Sequence, residues 1–96
     1  MPCGSRLALV RGMRAECRFV YIIRSIGHSG RYYVGLTSDV TRRLAIHNSG
    51  GSVHTEKLRP WELVAAIEFT SQASAVAFEK YLKSGSGRAF AKRHFV

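Results

Sequence analysis

Two short runs rich in aromatic and β-branched residues, Phe19-Val20-Tyr21-Ile22-Ile23 and Arg31-Tyr32-Tyr33-Val34-Gly35-Leu36, flank the segment Gly27-His28-Ser29-Gly30. Side chains of these types favour the pleated surface of a sheet. Joined by a loop of several residues with turn-forming Gly and Ser, they predict an antiparallel hairpin. A lone hairpin is marginal in water and needs a third strand or a helix packed on it. The chain has 96 residues, enough for one domain with a modest core.

The segments after the hairpin supply the cover. Thr37-Ser38-Asp39 offers a helix N-cap, and Val40 with Leu44 sets an apolar stripe at i, i+4. Asn48-Ser49-Gly50-Gly51 ends that helix. A polar loop runs through Lys57, and Arg59-Pro60 blocks helix there. Trp61 to Phe69 reads as a third strand, Ser71 caps a second helix through about Ser84, and Gly85-Ser86-Gly87 breaks it. Arg88 to His94 predicts a short basic terminal helix or turn. The expected fold class is α+β: a small three-stranded antiparallel sheet flanked by helices in the order β-β-α-β-α-α. Residues 1–17 have no sustained period and read as a basic, loosely ordered leader before a single domain over residues 18–96.

Charge narrows the partners. Fifteen Lys and Arg against six Asp and Glu give a formal net charge of +9, and eleven of the cations are Arg. Arg suits bidentate phosphate contacts, and a field of this sign attracts polyanions, with charge alone not separating DNA from RNA. No apolar run approaches the roughly 18 residues of a membrane-spanning helix. Leu7 to Val10 is about half the length of a secretory core before Arg11 interrupts it. The expected location is therefore cytoplasmic, with no membrane association. The spacing of Cys3 and Cys17 allows a disulfide, but in that reducing setting two free thiols are expected, and two cysteines do not make a zinc site.

The acids limit the chemistry. Glu16, Asp39, Glu56, Glu62, Glu68 and Glu79 are the whole supply, and they are not clustered. Phosphodiesterases that hold two metal ions about 4 Å apart need several convergent carboxylates. Any cutting of nucleic acid by this chain is expected to use one metal ion or none.

A family resemblance rests on five features in fixed order. Phe19-Val20-Tyr21 and Tyr33-Val34-Gly35 resemble the two halves of the GIY-YIG nuclease signature, one on each hairpin strand. Arg43 follows Tyr33 by ten residues and His47 comes four later, similar to the family's Arg-x-x-x-His/Tyr helix. Glu79, within Ala77-Phe78-Glu79-Lys80-Tyr81-Leu82, resembles the family's single metal-binding Glu. The loop from His54-Thr55 to Arg59-Pro60-Trp61 and the ending Leu82 to Arg88 look like the small stand-alone bacterial branch, similar to the N-terminal nuclease domain of a bacterial excinuclease. The resemblance covers roughly residues 19 to 93. It departs from the family in three places. Phe19 replaces the first Gly, Leu36 stands where some relatives have Lys, and no Asn follows the metal-type Glu.

The resemblance implies a tyrosine-assisted, metal-dependent DNA endonuclease of the kind that acts in DNA repair, with one divalent cation, Mg²⁺ or Mn²⁺. It implies catalytic roles for Tyr21, Tyr33, Arg43, His47 and Glu79, with Glu79 as the metal ligand. Arg43 would clamp the phosphate, and His47 would relay a proton or bond a Tyr hydroxyl. Nearby Arg43 and a cation would favour the phenolate of either Tyr. Tyr33 is the favoured base, because it shares a motif with the Gly35 turn leading to the Arg43 helix, and Tyr32 must face the other side of the strand. Arg42, His54, Lys57, Arg59, Lys83 and Arg88 are expected to track the nucleic-acid backbone without reading bases. Trp61 is expected as a core anchor. Glu79 also has a bland alternative, a surface pair with Lys83 at i, i+4. The other functional reading is a non-catalytic nucleic-acid-binding module, or one that depends on a protein partner for targeting to duplex or branched DNA.

Overall fold

The computed structural model describes residues 16–96. The remainder of the leader, Cys3 included, lies outside the described residues. Strand β1 (Phe19–Ser25) is the middle of a three-stranded sheet in the order β2-β1-β3, with β2 (Tyr32–Thr37) and β3 (Trp61–Glu68) antiparallel on either side. Helix α1 (Val40–Ser49) follows β2, and α2 (Gln72–Leu82) and α3 (Gly85–His94) follow β3. The α+β architecture and the element order match the expectation.

The central position of β1 explains its sequence. Successive side chains of a strand point to opposite faces. Val20 and Ile22 pack on one face with Ala75, Leu82 and Ala91 of the α2/α3 layer. Tyr21 and Ile23 pack on the other with Trp61, Val40 and Leu44. All four β1 residues are at most 1% exposed, so a strand covered on both sides reads as an unbroken apolar run. The β1–β3 register slips between Ile22, opposite Ala65, and Ile23, opposite Leu63. Val64 is the extra residue of a bulge, which blurs the alternation in that strand.

Caps fall where the sequence puts them. Asp39 accepts from the Arg42 amide at 3.0 Å at the start of α1. At its end the Gly50 amide donates to His47 O (3.3 Å) and the Gly51 amide to Ile46 O (3.0 Å), a Schellman closure. Ser71 caps α2. The polar loop holds a short 3-10 turn, Glu56–Leu58.

Two expectations are corrected. Cys17 is disulfide-bonded, not a free thiol; it is buried, and its amide donates to Gln72 Oε1 at 2.8 Å. Gly85-Ser86-Gly87 does not separate two helices; it forms the first turn of α3, capped by Ser84. The reason is packing. A Cβ at Gly87 would fall on the Tyr81 carbonyl, so only Gly lets α3 start so close to the end of α2. Around this junction Phe69, Phe78, Tyr81 and Phe90 stack in series, with ring centroids 5.4 to 6.1 Å apart.

Gly87→Ala is expected to destabilise the fold by roughly 2–4 kcal/mol, because the clash is with backbone and neither helix can yield cheaply. Gly85→Ala, with nothing within 4 Å of the added methyl, is expected to be neutral or slightly stabilising. Urea unfolding of the two variants beside wild type makes the comparison.

Candidate active site

Tyr21 points from the middle of β1 toward α1, and its partner across the ladder is Gly35. A methyl at Gly35 would overlap the Tyr21 ring and hydroxyl, so this glycine lets the ring lie across β2. Gly35 is thus a mid-strand residue and not the turn expected from the sequence. Helix α1 lays Val40, Leu44 and His47 toward the same face. His47 is 0% exposed and its Nε2 lies 2.8 Å from Tyr21 Oη. Arg43, one turn earlier and half-buried, donates from Nε to the same hydroxyl at 3.4 Å. Tyr33 stands edge-on to His47, with ring centroids 5.1 Å apart, and its ring centroid is 6.4 Å from that of Tyr21. Tyr32 packs against the opposite core, as strand alternation requires.

Burial decides the protonation states. It pushes Tyr21 from 10.0 up to about 12, against the hydrogen bond and charge of Arg43, and Tyr33 and Glu79 add to the rise. The expected pull of Arg43 toward the phenolate is present, but desolvation outweighs it. Burial also pulls His47 from 6.5 down to about 4, with the Arg43 charge acting in the same direction. At neutral pH the pair is a phenol and a neutral imidazole. This arrangement can pass a proton without holding a buried charge at rest.

Helix α2 contributes Glu79, whose side chain is 15% exposed and pairs with Lys83. Lys83 Nζ lies 5.9 Å from the Tyr33 ring centroid, so the ion pair borders the tyrosines. The i, i+4 pair foreseen as the bland alternative for Glu79 is therefore real. It does not remove Glu79 from the cluster, since the carboxylate is near enough for its charge to act on Tyr21.

Residues 17–93 match the model of the GIY-YIG catalytic domain, which is more than half of the chain. The chain belongs to the GIY-YIG family. It is 45% identical over 65 residues to structure-specific endonuclease subunit slx1 of Talaromyces marneffei, covering 62% of this chain and 17% of that protein. It is 46% identical over 65 residues to the SLX1 subunit of Ajellomyces capsulatus, covering 62% and 15%. A third relative is the UPF0213 protein of Streptococcus pneumoniae serotype 4, 41% identical over 66 residues, covering 68% and 65%. The chain thus spans less than a fifth of the fungal relatives and about two thirds of the bacterial one. No solved structure matches it.

In this GIY-YIG domain the structure brings Tyr21, Tyr33, Arg43, His47 and Glu79 into one neighbourhood. The six residues expected along a nucleic-acid backbone are more dispersed. His54 and Lys83 line a cleft of about 430 Å³ beside Tyr33, together with Arg31, which no sequence motif had singled out. Lys57 and Arg59 share a second depression of about 550 Å³ with Asn48. Arg42 on α1 and Arg88 on α3 are exposed and border neither. Among the described residues no helix is long and apolar enough to cross a membrane.

Two further residues hold the site in place. Thr55 Oγ1 lies 2.7 Å from His47 Nδ1, and Thr55 is 1% exposed. Asn48 brackets Trp61 with its amide: Nδ2 donates to Trp61 O at 3.0 Å, and Oδ1 accepts from Trp61 N at 2.6 Å. Trp61 is buried as expected, and its Nε1 donates to Thr55 O at 2.9 Å. The sequence marks Thr55 only as part of the family-like loop from His54-Thr55 to Trp61, with no role of its own. Its partner is set by a tertiary contact.

The His47 shift has a measurable consequence. Its folded value lies below the unfolded one, so the unfolded chain takes the proton first as pH falls. The stabilisation is complete above about pH 6.5 and is lost on the way down to pH 4, amounting to roughly 3 kcal/mol at most. Urea unfolding from pH 7 to pH 4.5 should show a steeper loss for wild type than for His47→Gln, which keeps a polar side chain but does not titrate. Equal slopes would mean that His47 does not resist protonation.

Proposed function

We propose that this domain is a metal-dependent endonuclease that hydrolyses DNA phosphodiesters, using Tyr21 as the group that takes a proton from the attacking water. The observation that carries this reading is the Tyr21 hydroxyl held between His47 Nε2 and Arg43 Nε. The sequence favoured Tyr33, but the two side-chain contacts that suit a base belong to Tyr21. Tyr33 lies beside it as the aromatic wall nearest Lys83 and Glu79.

Water attack at phosphorus requires a proton acceptor on one side and charge neutralisation at the phosphate. Tyr21 Oη receives the water proton as its own passes to His47 Nε2, so no free phenolate forms. The P–O bond to water forms as the ester bond breaks, and the departing oxygen takes its proton from solvent. His47 is a weak acceptor at rest, partly because of Arg43. A phosphate seated on Arg43 offsets that charge and makes the imidazolium easier to form. Among the described residues no salt bridge engages Arg43, which leaves its Nη groups for the phosphate.

Glu79 suits a hard divalent cation such as Mg²⁺ or Mn²⁺. It offers carboxylate oxygens, while waters and phosphate commonly complete such a shell. No group of three or more ligating side chains occurs among the described residues, so in this reading Glu79 is the one protein ligand. Bound there, the ion supplies charge neutralisation for the phosphate and the departing oxygen. The substrate class, duplex or branched DNA of the kind processed in repair, is supported by the net charge of +9 and by the relatives named structure-specific endonucleases.

Single-turnover cleavage of plasmid and branched DNA, with Mg²⁺ or Mn²⁺ against EDTA, tests the proposal. Glu79→Ala is expected to lose on the order of 100-fold or more in rate, with duplex binding within a few-fold of wild type. Tyr21→Phe is expected to lose on the order of 100-fold, and Tyr33→Phe less. A deeper loss for Tyr33→Phe would move the base to Tyr33. Wild-type rates in both Glu79→Ala and Tyr21→Phe would leave a nucleic-acid-binding module.

The Lys83–Glu79 pair generates a separate expectation. The ammonium occupies the carboxylate that would hold the ion, so cation binding has to displace it. Lys83→Met should lower the metal concentration at half-maximal cleavage several-fold. Direct Mn²⁺ binding followed by paramagnetic resonance should tighten in parallel.

A further inference from the structure

Thr55 lies outside the groups that meet substrate, yet it is among the most buried polar residues of the chain. Its main chain is tied on three sides. The amide donates to Ser52 O at 3.2 Å, and the carbonyl accepts from Leu58 N at 3.2 Å and Trp61 Nε1 at 2.9 Å. The Asn48 amide holds the Trp61 main chain in turn. The Thr55 hydroxyl therefore has little freedom, and it faces His47 Nδ1 at 2.7 Å.

Counted over the protein's own donors and acceptors, the protons around His47 have one arrangement that pairs them all. Tyr21 is 1% exposed, and its hydroxyl has two neighbours, His47 Nε2 and Arg43 Nε. Arg43 can only donate. Among the protein groups in reach, His47 Nε2 is therefore the one acceptor for the Tyr21 proton. A neutral imidazole that accepts at Nε2 carries its own proton on Nδ1. That proton requires an acceptor, and Thr55 Oγ1 is the one in place. The Thr55 hydroxyl can pass its own proton toward Ser52 O, 3.5 Å away, at the long end of hydrogen bonding. The reverse chain, with Nε2–H donating to Tyr21, gives the phenol oxygen two donors and leaves its proton unpaired.

We infer that Thr55 is a positioning residue that holds His47 in the Nδ1–H tautomer, so that Nε2 stands open to receive the Tyr21 proton. This deepens the endonuclease reading and rests on it for its consequence in rate, while the tautomer itself is a property of the free protein. Thr55 touches no reacting atom. It acts by fixing which imidazole nitrogen is vacant.

The test reads the tautomer directly. In ¹⁵N-labelled wild-type protein at pH 7.5, long-range ¹H–¹⁵N correlation spectra should show a protonated Nδ1 and a bare Nε2 for His47. Thr55→Val keeps the shape but removes the acceptor, and should shift the ring toward Nε2–H or a mixture of tautomers. Thr55→Ser keeps the oxygen and should restore the wild-type pattern. In single-turnover cleavage Thr55→Val should fall on the order of 10–100-fold at unchanged DNA affinity, the range seen when an outer hydrogen-bond partner is lost, and Thr55→Ser should stay within about threefold. Wild-type His47 protonated on Nε2 overturns the inference, and so does an unchanged Nδ1–H tautomer in Thr55→Val. If the tautomer is as stated but wild type cuts no DNA under any metal condition, the inference about Thr55 stands and the nuclease reading fails.

Discussion

A hydrogen bond between a phenol and an imidazole, sealed between the middle strand and the first helix, sets requirements that reach through most of the molecule. For Tyr21 to reach His47 across 2.8 Å, the ring has to cross β2, so Gly35 opposite it carries no side chain. The helix has to present His47 inward, and its Val40–Leu44 stripe turns that face to the sheet. The loop before β3 has to return over the helix end and offer Thr55, whose carbonyl accepts from the Trp61 indole, while the Asn48 side-chain amide holds the Trp61 main chain. The second apolar cluster, Tyr21, Ile23 and Trp61, is thus core and site at once.

Water exclusion has opposite effects on the two ends of the site. Around Tyr21 and His47 it keeps both groups neutral, in a chain whose formal charge is +9. At Glu79 the carboxylate is paired with the Lys83 ammonium at the border of the site. The remaining acids near the sheet are engaged elsewhere. Glu62 pairs with Arg24 at 2.6 Å across β3 and β1, and Glu68 pairs at 3.7 Å with Arg18, just before β1. Asp39 caps α1. Glu79 is the acid whose charge reaches Tyr21, and the proposed chemistry assigns it one cation.

Much of this was legible in the sequence because it depends on local periods. A period of two sends Tyr33 and Tyr32 to opposite faces, and a helical step of four aligns Arg43 with His47. The caps at Asp39 and Ser71 obey side-chain chemistry within three residues. The illegible part depends on contacts between distant segments. The choice of Tyr21 as the partner of His47 comes from the register that sets it against Gly35. Thr55 is eight residues from His47, and the loop motif that contains it does not show which side chain it meets. The start of α3 is hidden because Gly85 and Gly87 look like a break. The tight approach to Tyr81 turns Gly87 into a packing requirement.

Asn48 shows how far a residue's meaning depends on such contacts. It is the only Asn of the chain, and its place on α1 is far from the Asn that some relatives carry beyond the metal-type Glu. Its amide makes the two hydrogen bonds that a neighbouring strand would make to the main chain of Trp61. Helix α1 is thereby fastened to the first residue of β3, and that residue carries the indole bonded to Thr55. Asn48 therefore supports the proposed proton path from a distance, through the main-chain geometry of Trp61, and the role of the distal Asn in relatives is not transferred to it. Asn48 itself is exposed and aligns the two elements from the surface, while Tyr21, His47 and Thr55 form the buried polar line between sheet, helix and loop.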